Sequence, residues 1–130
     1  MKNFKSYSLL IIFAFIISGI SLTSCEPDEP PKAVVTVFKL TPMGEELPVA
    51  NCEVRLDPPS GTTQPELLEY MNKVKLTDIH GQVEYDFSYE GIITVIAKKG
   101  DGEESCGQGV LILKNNEVAE ERIRLSTCYN

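Results

Sequence analysis

From residue 33 to residue 125 the chain is a succession of short β-branched or alternating runs, each closed by Gly, Pro, Asn or Asp. Such a rhythm leaves little room for helices and points to an all-β fold. The runs cover 33–40, 52–56, 73–77, 82–87, 92–98, 108–114 and 117–125. They predict a seven-stranded antiparallel β-sandwich. In 52–56, alternation turns Cys52, Val54 and Leu56 inward and Glu53 and Arg55 outward. In 82–87, Val83, Tyr85 and Phe87 share one face. The run 92–98 is the most apolar and belongs in the centre of a sheet.

Between the runs the chemistry is that of turns. Residues 57–63 are rich in Pro, Ser, Gly and Thr. The stretch 64–72 predicts one short helix, with Pro65 at its first position and Leu67 and Met71 on one face. Asp78-Ile79-His80-Gly81 reads as a tight turn with Gly81 at positive φ, and 99–107 as an exposed loop. Asn115-Asn116 suits a two-residue hairpin turn of the primed type. Direct pairing across it would place Val110, Ile112 and Cys106 on the core face with Ile123 and Leu125. Glu121 would share that face, which invites a bulge.

The first 24 residues have the form of a secretion signal. Lys2 and Lys5 precede an apolar run over 9–20, too short to span a bilayer as a helix. Leu22-Thr23-Ser24-Cys25 then resembles the lipobox of bacterial lipoproteins. The resemblance implies that Cys25 is acylated and becomes the mature N-terminus, anchoring the chain to a membrane through lipid. Residues 25–32 follow as an acidic, Pro-rich tether, and 33–130 as the domain. Acidic residues just after the lipidated Cys resemble a surface-export signal. The expected location is therefore the outer membrane with the domain on the cell surface; facing the periplasm is the alternative. Removing the signal takes the net charge from −7 to −9, because two lysines leave and all 19 acidic residues stay. A chain this acidic is unsuited to nucleic acid.

Three local patterns resemble the prealbumin-like, carboxypeptidase-regulatory-like (Ig-like sandwich) family. Leu47-Pro48-Val49-Ala50-Asn51-Cys52-Glu53-Val54 matches the family's approach to its second strand, with Asn51 in a glycine place. Thr77-Asp78-Ile79-His80-Gly81-Gln82-Val83 matches its turn motif, and Glu90-Gly91-Ile92-Ile93-Thr94-Val95 its Gly-led strand. The resemblance implies a sandwich that serves as a docking or folding module. The histidines and C-terminal motif of that fold's hydrolase branch are missing: His80 is the one histidine, and the chain ends Ser126-Thr127-Cys128-Tyr129-Asn130.

With Cys25 lipidated, Cys52, Cys106 and Cys128 remain. Counting strand directions puts all three, and His80, at the end opposite the tether. An oxidising compartment favours one disulfide. Cys106–Cys128 would close a short loop; Cys52–Cys106 would join two inward-facing residues. The first is slightly preferred, and the sequence leaves both open. A zinc site from Cys52, His80, Cys106 and Cys128 lacks the close ligand spacing that pre-arranges such sites, so neither metal nor cofactor is expected. Asp101, Glu103 and Glu104 lack the spacing of a calcium loop. No catalytic set can be placed. The expected function is a non-enzymatic, lipid-anchored envelope module that offers distal segments, including His80, Asp101, Glu103 and Glu104, to a protein partner or surface ligand. The alternative is a glycan-binding accessory subunit of a surface uptake system.

Overall fold

The structure, a computed structural model, describes residues 27–57, 73–101 and 103–128, with no side-chain description for 101–104. All its regular elements are strands: β1 (Lys32–Leu40), β2 (Glu46–Pro48), β3 (Glu53–Asp57), β4 (Val74–Leu76), β5 (Gln82–Asp86), β6 (Gly91–Asp101), β7 (Glu103–Leu113), β8 (Val118–Arg124) and β9 (Ser126–Thr127). The seven expected runs are all extended. Two short strands, β2 and β9, are additional. The expected lipidation site Cys25, the expected signal over 1–24 and the helix expected over 64–72 lie outside the described residues.

The strands form two facing sheets. One is built on β1, with β8 along one edge and β5 followed by β2 along the other. The second runs β4-β3-β6-β7-β9, so the apolar strand β6 is central as expected. The core lies between them. Val35, Val37, Tyr85, Phe87 and Ile123 pack from the first sheet, and Val54, Leu56, Ile93, Val95, Leu111 and Leu113 from the second.

Three expectations are corrected. First, the fold is not wholly antiparallel. β8 pairs parallel to β1, from Lys32↔Val118 to Phe38↔Arg124, and does not form a hairpin ladder with β7. A primed turn of type I′ needs positive φ at both central residues. Only Asn116 has it (φ 62°), so the chain leaves β7 and joins the other sheet. Second, the core face of β7 is the opposite one. Leu111 and Leu113 are buried, whereas Val110 and Ile112 are exposed. Gly107 and Gly109 give the reason. A Cβ on Gly107 would meet Ile123 Cγ2 at 2.5 Å and the Arg124 carbonyl oxygen at 2.6 Å, and one on Gly109 would meet the Glu121 carboxylate. Glycines on the inner face let β8 close on β7, and the missing side chain at Gly109 makes room for half-buried Glu121 without a bulge. Third, 99–107 is no loop. β6 and β7 stay paired to Asp101↔Glu103. The ladder's backbone hydrogen bonds hold this hairpin extended with few apolar side chains in its sequence.

Candidate functional site

The register places the distal pole. Reading across the second sheet, Leu76 pairs with Glu53, Glu53 with Lys98, Lys98 with Cys106, and Cys106 with Ser126. Cys52, Cys106, Cys128 and the 77–81 turn therefore share one end. The N-terminal segment lies at the other: Phe87 N–H donates to the Pro31 carbonyl (2.9 Å), and Asn116 N–H to the Glu29 carbonyl (2.9 Å).

Of the two disulfides left open by the sequence, Cys106–Cys128 is present, with Cα atoms 5.1 Å apart and a separation of 22 residues. It fastens the segment after β9 to β7. Cys52 is a buried free thiol; burial first, and the Glu53 charge in addition, push its pKa up, against a downward pull from Lys99. The bond consumes two of the ligands a Cys/His zinc site would have needed, and His80 is exposed while Cys52 is buried. Among the described residues no group of three or more His, Cys, Asp or Glu is placed to hold a metal.

The 77–81 turn is built by its own side chains. Asp78 Oδ1 accepts from the backbone N–H of His80 (2.8 Å) and of Gln82 (2.9 Å). Those bonds, Gln82's foremost, hold the carboxyl below its ordinary range. Gly81 has φ 72° and sits against the Val37 carbonyl and Val49 N. Thr77, buried, ties this turn to the approach to β3: its hydroxyl accepts from Cys52 N–H (2.9 Å) and donates to the Val49 carbonyl (2.6 Å). Asn51 takes a left-handed φ of 52°, which asparagine tolerates better than most residues. Lys99 Nζ donates to the Ala50 and Asn51 carbonyls, each at 3.1 Å. His80 thus stands on a rigid turn, with no catalytic partner among the described contacts. Asp101, Glu103 and Glu104 lie at the tip of the β6–β7 hairpin.

The exposed apolar side chains at this pole were not singled out from the sequence. Met43, at the tip of the β1–β2 hairpin, is 90% exposed, and Ile79 is 79% exposed. Leu40 and Leu47 flank Met43 on the same hairpin and are also exposed. The hairpin is firm: Thr41 Oγ1 accepts from Glu45 N–H (3.0 Å), and Glu46 pairs with Arg122, whose guanidinium lies 4.9 Å from the Phe38 ring centre. Beside the disulfide, a shallow depression of about 470 Å³ is lined by Ile96, Gln108, Ser126 and Thr127.

No family model matches the chain, and no curated protein matches it. Among solved structures it is similar to PA1324 of Pseudomonas aeruginosa, described as a proposed carbohydrate-binding protein. Identity is 11% and the TM-score 0.48, over 78% of this chain and 92% of that one. A likeness at this level carries no ligand across.

Proposed function

We propose that the chain is a lipid-anchored, non-catalytic module of the cell envelope that binds a protein partner through its distal pole. One observation carries the reading: Met43 and Ile79 stand out of the pole opposite the N-terminal segment, on turns fixed by hydrogen bonds. Exposed apolar side chains on rigid turns are suited to a protein surface and cost little entropy on binding. The anchor is Cys25, in the outer membrane, and the domain faces outward. The fold within this reading is prealbumin-like. In its support, the three patterns of the resemblance fall at the approach to β3, at the turn before β5 and at the start of β6.

Photo-crosslinkers at positions 43 and 79 in intact cells test the reading. A discrete adduct from both, lost when Met43→Ser and Ile79→Ser are combined, is expected. Adducts that arise only from proximal positions such as Asn115 refute it. Protease treatment of intact and permeabilised cells separates surface from periplasm.

A second reading, glycan binding, is favoured by the depression beside the disulfide. Its amide and hydroxyls over the Ile96 floor are groups that hydrogen-bond sugars. Calorimetry against a glycan panel, with Gln108→Ala as control, decides it: no heat for any glycan removes it.

A further inference from the structure

The outer face of the second sheet has a gradient of polarity along its strands. At the end near the N-terminal segment, Ile92 pairs with Ile112, 55% and 59% exposed. The next row is Thr94 with Val110, itself 50% exposed. Ile96 and Gln108 follow, and then Lys98 and Cys106. Charge is thus missing from the β6–β7 face where it is nearest the proximal end, and the apolar side chains there are contiguous.

The start of the described chain says what lies nearby. Glu29 N–H donates to Asn116 Oδ1 (2.7 Å), and Asn116 Nδ2 donates to Asp28 Oδ1 (3.1 Å). Together with Asn116 N–H to the Glu29 carbonyl (2.9 Å), this fastens the tether to the turn that follows β7. Pro31, next along, is fully buried. The acidic segment is therefore not a free spacer over its whole length. From Asp28 back to Cys25 the chain reaches at most about 10 Å. Any bilayer that holds an acyl group on Cys25 lies close to the Asn115-Asn116 turn, and so to the Ile92–Ile112 end of the sheet.

We propose that Ile92, Val110 and Ile112 rest on the lipid surface, so that the domain leans on its five-stranded sheet with the distal pole pointing away. The proposal rests on the lipid-anchor reading above. The surface it fits is zwitterionic. Asp28, Glu29, Asp86, Glu90 and Glu117, exposed around this end, outnumber the exposed Lys32 and Lys114, so the net charge here is repelled by anionic head groups.

The chain contains no Trp, so single-Trp variants report one position each. Cys52 is buried and Cys106 and Cys128 are bonded to each other. A maleimide phospholipid will therefore couple to the mature folded chain at Cys25. Ile112→Trp, Ile92→Trp and Met43→Trp are compared on vesicles of phosphatidylcholine with brominated acyl chains. The first two should be quenched several-fold more than Met43→Trp, with blue-shifted emission. Equal quenching at all three positions, or quenching of Met43→Trp instead, overturns the proposal. So does blue-shifted emission of Ile112→Trp before coupling, which would mean that a second copy or another stretch of the chain covers the stripe. The mass of the N-terminal peptide from cells tests the anchor separately. A free thiol on Cys25 sinks the anchor reading and this proposal with it, whereas acylated Cys25 with unquenched Ile112→Trp sinks this proposal alone.

Discussion

Replacing Thr77 by valine tests what joins the distal turn to the second sheet. Thr77 is 2% exposed, and its hydroxyl makes both bonds described above, from Cys52 N–H and to the Val49 carbonyl. Valine keeps the shape and removes the oxygen. Two backbone groups then lose their partner in a buried place, at about 1–3 kcal/mol each. Allowing for partial relaxation, Thr77→Val should cost about 2–4 kcal/mol. Thr77→Ser keeps the hydroxyl and loses one methyl, about 1 kcal/mol. The assay is urea unfolding of the oxidised domain, followed by circular dichroism. With a slope of roughly 1.5 kcal/mol/M, the midpoint of Thr77→Val should fall by about 2 M and that of Thr77→Ser by less than about 1 M. If both variants fall equally, the methyl and not the hydroxyl holds the turn, and the reasoning fails. A valine variant within about 0.5 kcal/mol of the parent would refute it as well.

Other outcomes follow from the same structure. Gly107→Ala should destabilise the domain more than Gly109→Ala: the new methyl at 107 meets the Arg124 backbone, whereas at 109 it meets the flexible Glu121 side chain. Equal unfolding midpoints would contradict this. Tyr85, whose hydroxyl donates to the Val54 carbonyl at 3.0 Å, has its phenol pushed up to about 12 by burial. The unfolded phenol ionises near 10 and the folded one later, so this contribution is intact below about pH 10 and is lost as pH rises towards 12. Its size is on the order of 2 kcal/mol. In Tyr85→Phe, unfolding measured from pH 9 to 12 should show a shallower decline than in the parent. Iodoacetamide should leave Cys52 unmodified in the native protein and label it fully in denaturant. Removing both Cys106 and Cys128 should cost about 3 kcal/mol on the chain-entropy model for a 22-residue separation.

Much of the fold was legible because alternation and turn chemistry are local. Val54 and Leu56 go inward, Gly81 takes positive φ, and β6 is central, each as its own neighbours dictate. What was not legible is which sheet a strand joins. The turn at 78–81 and the turn at 115–116 both look like hairpin turns, yet β4 and β5 belong to different sheets, as do β7 and β8. In Val110-Leu111-Ile112-Leu113 both faces are apolar, so alternation is silent, and the choice is made by Gly107 and Gly109 just before it, which must admit β8. The exposed stripe follows from that same choice. The hold of Asn116 on Asp28 and Glu29 joins residues 87 and 88 apart in sequence, and no local signal announces it. The disulfide was legible only as one of two pairings, because the position of Cys128 depends on β9, a two-residue strand with no pattern of its own.

The two long edges of the sandwich are closed by different means, and this should govern where it opens. Along one edge, β8 belongs to the first sheet and β9 to the second. The chain crosses between them at Leu125, buried, with its N–H on the Phe38 carbonyl at 2.8 Å. The disulfide then locks the crossing to β7. Along the other edge, Lys75 of β4 reaches over: its Nζ donates to the Glu84 carbonyl of β5 at 2.6 Å and lies 4.7 Å from the Tyr85 ring centre. Among the described residues, that edge has one solvated lysine and the crossing at 77–81, held by the hydrogen bonds of Thr77, against a crossing fastened by a covalent bond. Local opening is cheapest where few buried contacts are lost, and β4 is a three-residue strand whose side chains are all exposed. Amide exchange should therefore rank β4 as the least protected strand of its sheet, with β6 and the β1–β8 pair approaching the global limit. Reducing the disulfide should narrow the gap by loosening β7 and β9 while leaving β4 unchanged. If β4 proves as protected as β6, the lysine bridge holds that edge as firmly as the crossing holds the other, and the asymmetry argued from the strand order is wrong.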